Sequence, residues 1–259
     1  MAGDLAFWSL ILLLLAGLAI GLAGGLLGIG GGVIAVPALL EILAHLPVPE
    51  RLPLAIGTAQ AVILLSSVSA VRAHAQGGGV ETGLLRAWLP AMILGAGLGL
   101  LLAPFAPATL SLLVFAGIAT ALGGALLLGD RARLAEGLPR SAIGWLPPGL
   151  IGLVSAALGV GAGTLSGPAL GLFGVGLHRA VGSGAVFNLA VAAPATLASL
   201  ALGQVSFAGL LLLAAPAMLV APWAARLSRR LPQRLLAWGF ALCLAAIAGR
   251  LVWRALVQG

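Results

Sequence analysis

The sequence predicts an all-α polytopic membrane protein made of two inverted-topology repeats, each a glycine-tipped helix hairpin followed by three transmembrane helices. Three observations carry this expectation. Of 259 residues, 61% are hydrophobic and 7% charged, with a mean hydropathy of +1.20, which leaves too little polar surface for a water-soluble globule. The apolar stretches approach the roughly 20 residues a helix needs to cross a bilayer, whereas barrel strands would alternate over about ten residues. Finally, "GGLLGIGGGVIAVP" (24–37) recurs as "SAALGVGAGTLSGP" (155–168), 131 residues later.

Taken in order, the apolar pattern predicts helices over 5–23, 33–46, 54–71, 83–103, 108–129, 142–158, 164–177, 180–202, 206–226 and 234–257. The first stretch lacks a basic leader, has only Asp4 beside it, and runs into glycines instead of a small-residue cleavage site, so it reads as a retained helix. The second and seventh segments have 14 residues each and begin where a glycine cluster ends. Short segments at matching places in two halves are the mark of discontinuous helices.

At an offset of 131, nine of the 19 positions from Gly21 to Leu39 are identical between the halves, including Gly28/Gly159, Gly30/Gly161, Gly32/Gly163 and Pro37/Pro168. The register continues at an offset of 125, where Ala55-Ile56-Gly57-Thr58 meets Ala180-Val181-Gly182-Ser183, and the six-residue difference is assigned to one loop around His45 to Pro53. The organisation is therefore a first membrane repeat over 1–129, a cytoplasmic linker over 130–141 that contains "DRARLAEGLPRS", and a second membrane repeat over 142–259.

All 13 basic residues are arginine. With each short helix folded back on its predecessor and the other helices spanning, ten arginines (72, 86, 131, 133, 140, 179, 226, 229, 230 and 234) fall on one side and three (51, 250 and 254) on the other. The positive-inside rule makes the richer side cytoplasmic. A hairpin plus three crossings is an odd number, so the second repeat enters from the opposite face and both termini are expected in the periplasm of a bacterial inner membrane. The net charge of +7 is spread over loops with no basic stripe, so nucleic acid is not an expected partner.

This topology brings the two glycine clusters to mid-depth, where irregular backbone persists only if buried in protein or lining a polar cavity. Backbone N–H groups at Gly28, Gly30, Gly31 and Gly32, and at Gly159, Gly161 and Gly163, would face the same place as the N-termini of two short helices, an arrangement suited to a small anion. Pro37 and Pro168 would kink those helices. Thr58, Gln60, Thr164, Ser166, Ser183 and Asn188 supply uncharged hydrogen-bonding groups nearby; an amide in a membrane helix needs a partner. Ser66 to Ser69 read as interhelical glue, and Gly95 and Gly99 as packing residues. Acidic residues are nearly absent from the helices, which disfavours a cation site; Glu41 is the exception. His45, His74 and His178 read as solvated interface residues, with Glu41 and His45 forming the pair to test for coupling or gating. Cys243 reads as a small core or lipid-facing residue. No nucleophile, base and acid set and no metal-ligand spacing appears, so no enzyme activity, catalytic residue, metal or cofactor is expected.

"GLAGGLLGIGGGVIAVPALL", its degenerate copy "GLVSAALGVGAGTLSGPALG", the following "AIGTAQ" and "AVGSGA", and "GGVETGLLRAWLP" resemble the TauE/SafE family of sulfite and organosulfonate exporters, also called the sulfonate uptake permease family. The resemblance implies a carrier of sulfite, sulfoacetate or another small sulfur-containing anion. The chain departs from the family pattern at Ala162, which interrupts a run of glycines, and at Thr58-Ala59 and Ser183-Gly184, where a Thr-Ser pair is usual. The expected partners are thus a small anion and the lipid bilayer, with Arg179 recruiting anions at the inner face or anchoring the helix there. Association between copies of the chain is not readable from the residues. A passive anion channel and a non-transporting scaffold subunit are the rival expectations.

Overall fold

The computed structural model describes residues 2–43, 47–105, 108–128, 131, 134–135, 137 and 142–258. Among them lie ten α-helices: α1 (Ala2–Leu27), α2 (Gly32–Ile42), α3 (Val48–Gln76), α4 (Thr82–Leu102), α5 (Ala108–Leu128), α6 (Leu146–Leu158), α7 (Gly163–Gly171), α8 (Leu177–Ala201), α9 (Phe207–Ser228) and α10 (Gln233–Gln258). Five of them, α1, α3, α4, α8 and α9, are long and apolar enough to cross a membrane.

The packing follows a simple rule. Helix α1 lies along α9 and α4 along α6; α3 pairs with α8 and α5 with α10; α2 packs on α3 and α7 on α8. Glycine sets the closeness of the first two pairs. A Cβ built on Gly21 would lie 2.6 Å from the Ala217 carbonyl oxygen of α9, and one on Gly152 would strike the Met92 carbonyl of α4. Helix α4 buries Gly95 and Gly99 against α6 while exposing Leu94 and Leu101, as expected where the outer face meets lipid and small residues let backbones approach. Trp88 of α4 stacks on Phe187 of α8 at 6.1 Å and meets Phe173 edge-on at 6.2 Å, fixing α8 at the residue before Asn188.

Two expectations about the elements are corrected. Helix α3 starts at Val48, not at 54. Pro49 is tolerated because first-turn N–H groups have no intrahelical acceptor, and Pro53 sits inside the helix. The six-residue difference between the halves is therefore not one loop: α2 has 11 residues against nine in α7, α3 has 29 against 25 in α8, and the connections between them, 43–47 and 172–176, are equally long. Helix α1, counted as a hairpin arm, has 26 residues, whereas α6 has 13.

Of the linker, the described backbone is docked on the end of α7: Leu134 N–H donates to Leu172 C=O at 2.8 Å and Gly137 N–H to Phe173 C=O at 3.0 Å.

Candidate functional site

The two glycine clusters break the chain in the same way. Gly28 and Gly30 have φ of 67° and 75°, and Gly159 and Gly161 have 68° and 84°, a left-handed conformation that a side chain disfavours. The halves part at the next residue, where Gly31 has φ 75° but Ala162 has φ −66°. Alanine avoids the left-handed region that glycine enters there.

The breaks lie against each other, all buried. A Cβ on Gly32 would strike the Gly159 carbonyl, and one on Gly163 the Gly28 carbonyl. Asn188 joins them. Its Nδ2 donates to Gly28 C=O at 2.8 Å, and its Oδ1 accepts from Gly163 N–H at 2.7 Å. Thr164 Oγ1 lies 2.7 Å from Ile29 C=O and 2.9 Å from Val160 C=O, one hydroxyl proton shared between the two tips. Side chains have thus taken up part of what the breaks leave open: the first N–H of α7 is capped by Asn188. At α2 the ladder begins with Ile34 and Ala35, which donate to Gly31 C=O, so the N–H groups ahead of them lie outside the helical ladder.

Thr58 and Ser183 sit one helix further on and play matched roles. Thr58 donates to Leu54 C=O at 2.6 Å and accepts from Ser206 N–H at 2.9 Å; Ser183 Oγ accepts from Glu81 N–H at 3.3 Å. Both therefore cap loop backbone at the helix ends. Gln60, 1% exposed, donates to Ser155 C=O and Ala156 C=O at 3.3 and 3.2 Å, while its Oε1 has no protein partner. Ser166 is buried with an unpartnered hydroxyl. Pro37 and Pro168 are buried inside α2 and α7.

The serine run of α3 departs from the expectation of interhelical glue. Ser66 and Ser69 bond to carbonyls of their own helix, not across helices. Ser66 and Ser67 instead line a cleft with Gly24, Gly30, Ala70, Ala185, Asn188 and Ala221 that has about 10 Å³ of free space, room for one water. His74 is also corrected: it is 2% exposed, and its Nε2 lies 3.2 Å from the Gly25 carbonyl. The tip of α1 covers what sequence position alone placed at a solvated interface. Glu41 is exposed in the last turn of α2, and His45 lies outside the described residues. Arg179 Nη1 pairs with Glu81 at 3.3 Å on an exposed surface.

No cluster of three or more His, Cys, Asp or Glu side chains that could hold a metal occurs among the described residues. There, the buried polar side chains are Ser, Thr, Asn and Gln together with His74, and none is a carboxylate. Helices long and apolar enough to cross a membrane, packed around a broken, uncharged but polar centre, define the class: a multi-pass α-helical membrane protein. The chain belongs to the TauE/SafE sulfite exporter family, whose model matches residues 13–251. No curated protein and no solved structure matches it.

Proposed function

We propose that this protein is a secondary transporter that carries a small sulfur-containing anion, sulfite, sulfoacetate or another organosulfonate, across a bacterial inner membrane. The observation that carries the reading is the meeting of two glycine breaks, Gly28–Gly32 and Gly159–Gly163, around Asn188 and Thr164. Backbone N–H groups at helix N-termini hold an oxyanion without a counter-charge, and a centre with no buried carboxylate favours an anion over a cation. In this reading the N–H groups of Gly30 to Gly32 and Gly161 receive the charge. Thr164 and Asn188 orient the anion, supported by Thr58, Gln60 and Ser183. The cleft at Asn188 admits one water, which suits a gated carrier better than an open pore.

The transport reading includes an inverted-repeat topology. Exchanging each helix for the one five places along turns the α1–α9 pair into α6–α4 and the α2–α3 pair into α7–α8, all of which pack. Gly28 faces the Val181 carbonyl and Gly159 faces Ile56, and these partners are 125 residues apart. Helices α1 and α2 form one hairpin, since Gly31 faces Ile20 while Leu39 faces Gly209; α6 and α7 form the other. Arg72, Arg179, Arg226 and Arg229 mark the cytoplasmic end, and both termini lie in the periplasm. Alternating access then amounts to rocking around the shared centre.

The test is counterflow of labelled sulfite in proteoliposomes, with sulfate, thiosulfate, sulfoacetate and chloride as competitors. Saturable exchange selective for a sulfur anion and lost in Asn188→Asp, which places a negative charge at the centre, supports the carrier. Non-saturable flux without exchange would identify a channel, and no flux with any anion would leave a scaffold.

A further inference from the structure

The cleft beside Asn188 has a counterpart that is closed. It opens between Gly24 of α1 and Ala185 of α8. Stepping by 131 and 125 residues into the other half of the chain, Gly24 corresponds to Ser155 and Ala185 to Gln60. Where the first pair leaves a gap between helices, the second fills it: Gln60 extends from α3 to α6 and donates to the carbonyls of Ser155 and Ala156 at 3.3 and 3.2 Å. The cleft, buried and with room for about one water, runs along Ser66, Ser67 and Ala70 on the side of α3 that leads to Arg72. Its closed counterpart faces the opposite end, since Gly159 packs on Ile56 near the start of α3.

We propose that Gln60 is the gate that closes the anion site to the face opposite Arg72, so that access through Ser66 and Ser67 and access past Gln60 are mutually exclusive; the inference rests on the carrier reading above. Two features suit Gln60 to a latch over a permanent strut. Its two bonds are long for N–H···O. Its Oε1 and the Ser155 hydroxyl beside it are buried without a protein partner, so both gain hydrogen bonds when water enters on opening. The closed state is held by two long bonds and leaves two buried groups that water satisfies on opening, which lowers the cost of breaking the latch.

Sided thiol labelling tests this directly. Ser67→Cys and Ser155→Cys are made singly in Cys243→Ala protein, reconstituted, and exposed to a membrane-impermeant thiol reagent on one face at a time. The thiol of Ser67→Cys, buried beside a cleft with room for about one water, should react slowly and from the arginine-rich face alone. The thiol of Ser155→Cys should react slowly, and about tenfold faster from the opposite face once Gln60→Ala is added, as the open state leaves the minor range. Gln60→Met keeps the bulk and removes the donor, so it should raise labelling in the same direction and serves if Gln60→Ala fails to fold. Labelling at position 155 that neither substitution raises, or that occurs from the arginine-rich face, overturns the gate. The labelling needs no anion, so a working gate without sulfite exchange would refute the substrate and spare the gate, whereas intact exchange with unchanged labelling would do the reverse.

Discussion

Asn188 Nδ2 lies 2.8 Å from the Gly28 carbonyl oxygen, a bond across 160 residues that ties the middle of α8 to the break after α1. Since Oδ1 of the same amide accepts from Gly163 N–H, one side chain fixes both breaks. Asn188→Leu keeps the branched skeleton and removes both bonds, stranding a buried carbonyl and a buried N–H. At about 1–3 kcal/mol for each unmet group, the expected loss is roughly 2–6 kcal/mol. Thermal unfolding in detergent checks it; a melting point equal to that of the parent would mean that the amide does not hold the tips.

The close helix pairs give a sharper contrast. A Cβ on Gly21 meets the Ala217 carbonyl oxygen at 2.6 Å and its Cα at 2.9 Å, and neither backbone atom can move aside without separating α1 from α9. Gly21→Ala should destabilise by roughly 1–3 kcal/mol, the usual range for overpacking. Gly97 has nothing within 4 Å of its would-be Cβ, so Gly97→Ala should be neutral or stabilise by up to about 1 kcal/mol through helix propensity. Comparing the two melting temperatures decides whether spacing or composition makes these glycines necessary.

What the residues revealed beforehand was local. Glycine is the residue type that enters positive φ freely, so Gly28, Gly30, Gly159 and Gly161 announced the breaks; Asn188, a lone amide among apolar neighbours, announced a buried partner. What depended on packing between distant segments stayed hidden. Nothing near His74 says that Gly25 will cover it, and nothing in Ser66 and Ser67 says that they line a cleft with Gly30 and Asn188 while Ser66 bonds its own helix. The start of α3 was hidden for another reason: Pro47, Pro49 and Pro53 read as a loop, yet Pro47 is the N-cap, Pro49 falls in the first turn, where a helix accepts proline, and Pro53 lies inside the helix. Ala162 departs from the glycine run in the sequence itself, but its effect, turning φ negative where Gly31 is positive, follows from backbone sterics that the sequence alone does not locate.

Thr58 and Ser183 allow a matched pair of measurements. Thr58 is fully buried and accepts from Ser206 N–H at 2.9 Å. Thr58→Val preserves shape and removes the acceptor, so it should cost about 1–2 kcal/mol, whereas Thr58→Ser should cost less than about 1 kcal/mol because the hydroxyl remains. Ser183→Ala should be milder than Thr58→Val: the Glu81 N–H it serves is 3.3 Å away in a half-buried residue, and water can replace the lost partner. An equal or larger loss at Ser183 would show that the two hydroxyls are not equivalent caps.

Arg179 and Glu81 separate stability from recruitment. Their side chains are 67% and 41% exposed and meet at 3.3 Å, so solvent and salt screen the pair and its contribution should stay within about 0–1 kcal/mol. Arg179→Gln should therefore leave the melting temperature nearly unchanged. The same charge stands one turn before Ser183 at the arginine-rich end, where it raises the local concentration of anions. Its removal should increase the half-saturation concentration for sulfite from that face by about two- to threefold at low ionic strength, with the difference fading near roughly 0.5 M salt as the screening length falls to about 4 Å. A rise that persists at high salt would instead indicate direct contact with the anion, and a lowered melting temperature with unchanged half-saturation would make Arg179 a structural anchor alone.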